Sequence, residues 1–282
     1  MFDHNVMFET CPTDQAWFAT LFYTGLFAIG VLIDAGVGIR LFLKPMRWDL
    51  AIDAVRRRPW SPQDGGIMLL ALLNLQLMLY VLSFAFADAS PFLWLVLNSI
   101  MFHGAGLVMI LWFLRARGLT WKSAFGLERR GVVRHACRGV FLYLIILPVF
   151  LFSAVAYQVF LLLMHFPSSA QPVAEMLTET DSLAMRVFIM VLAVGIAPVV
   201  EELFFRGIGL PLLARRWGIG PAVFGVSLVF ALLHFHVPSL VPLFVISVGL
   251  SLAYIHSGSI AVPIVIHSIF NAVNLGLLTF MQ

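Results

Sequence analysis

Charge is what this sequence has least of. Asp, Glu, Lys and Arg make up 11% of its 282 residues, against about 25% in an ordinary soluble domain. Hydrophobic residues make up 61%, and the mean hydropathy is +1.00. A core of this size cannot hide so much apolar surface from water, which excludes a water-soluble class. Cysteine is almost absent too: Cys11 and Cys137 are the only two. They have no metal-site spacing and imply no disulfide framework. The first 15 residues carry no Lys or Arg, so a cleavable signal peptide of the usual kind is not expected and insertion starts from the first span. There is no long linker, low-complexity tract or clear internal repeat.

What is present is a series of apolar runs. A helix needs about 20 apolar residues to cross a hydrocarbon core of roughly 30 Å. Candidate spans lie near 16–43, 67–88, 91–114, 141–165, 185–206, 220–236, 240–256 and 260–281. This predicts an all-α polytopic bundle of about eight transmembrane helices, since open strand edges cannot be satisfied in lipid. The net charge of +3 and pI of about 9.1 do not point to nucleic acid, because the basic residues fall in short stretches between the runs. Lys44, Arg47 and Arg56–Arg58 form one group, 115–138 a second, and Arg206, Arg215 and Arg216 a third. The stretches 1–15 and 166–185 carry acids and no base. The positive-inside rule then puts the basic connections in the cytoplasm and both termini outside, with Cys11 and Cys137 on opposite faces. The basic stretch 115–140 is expected to lie along the anionic lipid surface as an amphipathic helix.

From Trp217 to Gln282 there is no Asp, Glu, Lys or Arg, so every polar side chain near that stretch calls for an explanation. Ionisable groups inside a span are costly and face a cavity, a partner or a reaction. Three groups stand out. Glu201 and Glu202 follow Ala197-Pro198, with Arg206 four residues beyond Glu202 in the acid-then-base order that pairs on a helix. Glu201 is turned about 100° away from Glu202 and is freer. Phe230 and His234 share a helix face, whereas His236 lies about 200° from His234 and next to Pro238, which makes His236 an interfacial residue. His267 and Asn271 share a face of the last span, and Asn274 extends their stripe. Asp34, Asn74, Gln76, Asn98 and His103 read as packing or interfacial polar groups.

These residue types suit amide hydrolysis in a bilayer. A glutamate can activate water, and His and Asn can donate to the developing oxyanion. Glu201, His234 and His267 are also acceptable Zn²⁺ ligands with an open position for water. There is no HExxH, however, and spacing leaves the metal question open. Ser227, Ser239, Ser251 and Ser268 sit in no G-x-S-x-G elbow.

The ordered set Glu201-Glu202-x-x-x-Arg206, Phe230-x-x-x-His234 and His267-x-x-x-Asn271 resembles the CAAX-protease and bacteriocin-processing family of intramembrane proteases. Phe205-Arg206-Gly207 and Ser257-Gly258-Ser259-Ile260 add to the likeness, which covers roughly 185–280. The resemblance implies a helical bundle with a conical polar cavity open toward the cytoplasm. It implies Glu201 as general base aided by His234, an oxyanion hole of His267 and Asn271, and supporting roles for Glu202 and Arg206. It further implies residues 141–282 as the protease core behind an N-terminal transmembrane region, 1–140. It also implies membrane lipid and a membrane-associated or C-terminally anchored substrate as partners, with no cofactor preferred over Zn²⁺. A compact chain of this kind suggests a bacterial inner membrane. The reading from another class is a non-catalytic immunity or scaffold protein that keeps the fold.

Overall fold

The computed structural model describes residues 13–43, 48–86, 90–128, 131–167 and 169–280. Among these every regular element is helical. Among the described residues seven helical spans are long and apolar enough to cross a membrane: 17–40, 62–85, 92–116, 133–163, 183–217, 237–257 and 261–280. Large apolar side chains such as Leu32, Leu70, Phe152 and Leu162 stand exposed on their outer faces, as lipid contact requires. The eighth expected span is a shorter apolar helix, α12, Ile219–Leu232.

Local chemistry sets the helix ends. The third helix, Pro62–Ala85, starts on a capping box: Ser61 Oγ accepts from the Asp64 N–H, and Asp64 accepts from the Ser61 N–H at 2.8 Å. Thr120 and Ser123 make the same exchange at the short helix α6, Trp121–Phe125. Gly126 ends α6 with φ +70°, where a Cβ would fall on the Gly258 carbonyl oxygen, so only glycine fits this turn. α12 stops at Leu232 because Phe235 is left-handed, with φ +48°, and Pro238 opens a 3₁₀ turn.

Two expected boundaries move. The helix α7 runs Val132–Leu163, so Arg134 and Arg138 belong to the first turns of a span instead of a surface helix. Among the described residues of 115–140 only α6 is a separate helix. The span expected to end at Arg206 continues to Trp217. It does so through π-helical segments at Leu192–Ile196 and Leu203–Gly209, between which α10, Ala197–Glu202, carries the acids. Cys11, Lys44, Arg47, Arg129 and Arg130, on which part of the topology reading rests, lie outside the described residues.

The core forms two clusters. One joins Val55, Trp60, Met68 and Phe125 to Leu203, Val226, Tyr254 and Ile260. The other gathers Tyr143, Leu147 and Phe150 of α7 against Phe230, Ile246 and Ile266. The candidate site lies where they meet, between α10, α12, α13 (Leu240–Ser257) and α14 (Ala261–Phe280).

Candidate active site

The site is built on a buried polar layer. Glu202 and Arg206 are both fully buried, with Nη1 donating to Glu202 Oε1 at 2.9 Å. Arg206 also donates through Nε to Ser251 Oγ at 3.4 Å and through Nη2 to the Ser247 carbonyl at 2.9 Å and the Ser247 hydroxyl. Its guanidinium carbon sits 4.8 Å from the centre of the Phe230 ring, a cation–π distance. Burying one such ion costs several kcal/mol, so this density of partners is what makes the pair tolerable. The pairing expected from the four-residue spacing is present.

The layer also holds a residue that spacing did not assign to it. His267 Nδ1 donates to the same Glu202 Oε1 at 2.9 Å. This leaves His267 Nε2 facing Glu201, 3.9 Å from Oε2. Glu202 therefore orients the His267 ring as well as pairing Arg206. Glu201 is part-exposed, at 19%, and lines a cavity of about 490 Å³ together with His234, His267, Asn271 and Phe230. Two carboxylates adjacent in sequence thus have different environments, one sealed in the protein and one at the cavity wall.

His234 lies in the turn just after α12, not on the helix. Its Nδ1 nevertheless reaches back to the Phe230 carbonyl at 2.8 Å. A carbonyl only accepts, so Nδ1 carries a hydrogen and Nε2 is the ring nitrogen left for the cavity. Asn271 uses one amide hydrogen on the Ala193 carbonyl at 2.7 Å, within the first π segment of its neighbour. Its second amide hydrogen and its oxygen remain. Asn274 lines the cavity one turn further on and is held by Tyr23 and the Phe270 carbonyl.

His236 is outside the cavity. Its ring nitrogens contact Ser239 Oγ at 2.8 Å and Ser169 Oγ at 3.2 Å. His103 is the residue that sequence reasoning undervalued: it lines the same cavity with Ser99, on a π-helical segment, Ile100–Gly104. The signal was a histidine inside an apolar span, but only the crossing of the chain there connects it to Glu201. Gly106 packs so closely on the Glu201-bearing helix that a Cβ would come within 2.8 Å of the Phe204 ring. Asn98 satisfies itself on the Trp94 carbonyl, and Asn74 on the Leu70 carbonyl.

Among the described residues no three His, Cys, Asp or Glu side chains are gathered closely enough to hold one metal ion. Glu201, His234 and His267 share a cavity without forming such a cluster.

Residues 183–273 match the family model of the type II CAAX prenyl endopeptidase Rce1-like proteins. All seven residues of the motif set fall within this stretch. Two curated proteins are similar over a shorter stretch: CAAX prenyl protease 2 of Homo sapiens and CAAX prenyl protease 2 of Rattus norvegicus. Each is 56% identical over 41 residues, which is 14% of this chain and 12% and 13% of those two relatives. The matched stretch is thus about an eighth of each relative's length. No solved structure matches the chain. The stretch 183–273 contains the whole buried layer and leaves His103 and the helices Thr13–Leu43 and Pro62–Ala85 outside it.

Proposed function

We propose that this multi-pass membrane protein is an intramembrane endopeptidase of the CAAX-protease type, which hydrolyses a peptide bond in a membrane-associated polypeptide with a glutamate-activated water. One observation carries this reading: Glu201, His234, and the pair His267 and Asn271, from three separate segments, line one cavity while Glu202 and Arg206 are buried behind it. In the proposed step a water between Glu201 and the two histidines gives a proton to Glu201, with His234 Nε2 accepting a hydrogen bond from it. The water oxygen bonds to the scissile carbonyl carbon. The oxyanion is held by the free amide hydrogen of Asn271 and, with the ring doubly protonated, by His267 Nε2–H. The carbon–nitrogen bond then breaks and Glu201 returns the proton to the leaving amine. Glu202 and Arg206 are positioning residues, since Glu202 holds His267, Arg206 holds Glu202, Ser247 and Ser251, and neither lines the cavity.

The reading is metal-free. The alternative would have Glu201, His234 and His267 as ligands of Zn²⁺, and among the described residues these three are not gathered into one ligand set. Residues 141–282 hold every group used in this scheme.

The test compares the termini of membrane proteins in cells carrying the wild type and Glu201→Gln. We expect one or a few substrates to lose a processed terminus. An unchanged set, with the variant folded and present, would support a non-catalytic role. Purified enzyme should keep its activity after chelation; loss restored by Zn²⁺ would overturn the metal-free scheme.

A further inference from the structure

The cavity has a closed end and an open end, and they can be placed against the charges. At the closed end stand the buried Phe230, Ile246, Leu250 and His267, backed by the Glu202–Arg206–Ser247–Ser251 layer. At the other end the lining side chains are only half-buried: Leu95, Gln171, Val173, Ser239 and Leu278. Contacts identify which loops lie at each end. Arg58 donates to the Gly258 carbonyl at 2.5 Å, and the Ile260 N–H donates to the Phe125 carbonyl at 3.0 Å. The start of α14 therefore lies with the basic connections, and its later turns, through Asn274, Leu275 and Leu278, climb away from them along the cavity. At the far end Gln171 donates to Ser239 at 2.9 Å, and Tyr157 donates to the Val237 carbonyl at 3.1 Å. That is the end of the loop carrying the exposed Glu175, Glu179 and Asp181.

The Lys and Arg side chains at 56–58, 115–122, 134–138 and 215–216 all lie at the closed end, where Asp49, Asp53, Asp64 and Glu128 are the acids. Among the described residues Arg186 is the one base at the open end, and it is bound to the Thr180 carbonyl at 2.8 Å. Orientation follows Lys and Arg, with acids counting little. The closed end thus belongs in the cytoplasm.

We infer that the cavity opens on the extracytoplasmic face, so that the substrate is a membrane-anchored polypeptide presented from that side and not a chain lipidated in the cytoplasm. This is the reverse of the opening implied by the family resemblance. It rests on the proposed proteolytic reading for the word substrate, but the direction of the opening stands on geometry and charge alone.

Single-cysteine variants test it in a Cys11→Ser, Cys137→Ser background of the full chain. Glu179→Cys reports the open end, Lys122→Cys the basic end and Leu278→Cys the cavity itself. With a charged, membrane-impermeant thiol reagent on intact cells, Glu179→Cys and Leu278→Cys should label fully and Lys122→Cys only after permeabilisation. The opposite pattern overturns the orientation. Labelling of Glu179→Cys without Leu278→Cys overturns the opening. The same labelling should hold when Glu201→Gln is added, so a chain that proves inactive leaves this result readable, and an active chain that labels in reverse sinks only the inference.

Discussion

Glu202 joins two partners that a linear reading separates. Its Oε1 receives both Arg206 Nη1 and His267 Nδ1 at 2.9 Å. Removing either contact should therefore have a different signature. Arg206→Ala leaves a carboxylate buried without its cation, and breaking a pair in this way costs about 3–5 kcal/mol. The thermal midpoint in detergent should fall sharply. Glu202→Gln keeps the volume and still accepts from one donor, but it loosens the His267 ring. Its expected effect is mainly on kcat, by roughly 10²-fold, the scale of a small misplacement at the chemistry. Equal stability losses for the two variants would mean that Glu202 only pairs Arg206.

The two histidines near Pro238 give a second contrast. His234→Ala removes a cavity-lining ring and should lower activity by about 10²–10⁴-fold, the range for a group assisting proton transfer. His236→Ala removes contacts to Ser169 and Ser239 at the loop and should leave turnover within a few-fold. An assay on one common substrate decides, and comparable losses would place both rings at the reaction. His234 lines the cavity and His236 does not, but a helix-face difference between them exists only on a continuous helix, and α12 stops at Leu232; what separates the two rings is the turn that sends His234 back to the Phe230 carbonyl.

At the scale of elements, long apolar runs were legible because lipid imposes a minimum length. The starts and stops that rely on caps were less so, and the π segments were not legible at all. A π turn is set by which neighbour approaches the backbone, and sequence periodicity near 3.6 cannot show it. The segment Leu203–Gly209 lets Gly207 pass against Phe125, where a Cβ would come within 2.6 Å of the ring. Phe125 is itself buried against Trp60, with ring centres 5.4 Å apart, so it has little room to yield. Gly207→Val should cost about 1–3 kcal/mol by overpacking, read as a lower unfolding midpoint. A stability equal to wild type would show that this crossing relaxes freely. The place of His103 was hidden for the same reason: it depends on a glycine crossing between helices far apart in sequence.

At the scale of the molecule, the division at residue 140 separates what the motifs explain from what they do not. It does not follow a seam in the packing. Position 140 lies inside α7, and Trp60, Met68 and Phe125 share a core with Leu203, Tyr254 and Ile260. Arg58 reaches the Gly258 carbonyl from the other half, and Tyr23 of the first helix reaches Asn274 in the cavity wall at 3.3 Å. A chain of residues 141–282 alone would contain every proposed catalytic group. It would also leave Leu203 and Tyr254 without their apolar partners Trp60, Met68 and Phe125, and the α13–α14 turn without its arginine. Such exposed backbone and side-chain polar groups are poorly tolerated near a bilayer. The fragment should therefore be degraded or aggregate when expressed by itself. Supplying 1–140 as a separate chain should restore at most partial recovery, because the cut interrupts α7. Gel filtration in detergent, followed by proteolysis of the recovered species, distinguishes these outcomes. A monodisperse, protease-resistant 141–282 fragment would show that the N-terminal spans are an attachment to the catalytic half and not part of what holds it together.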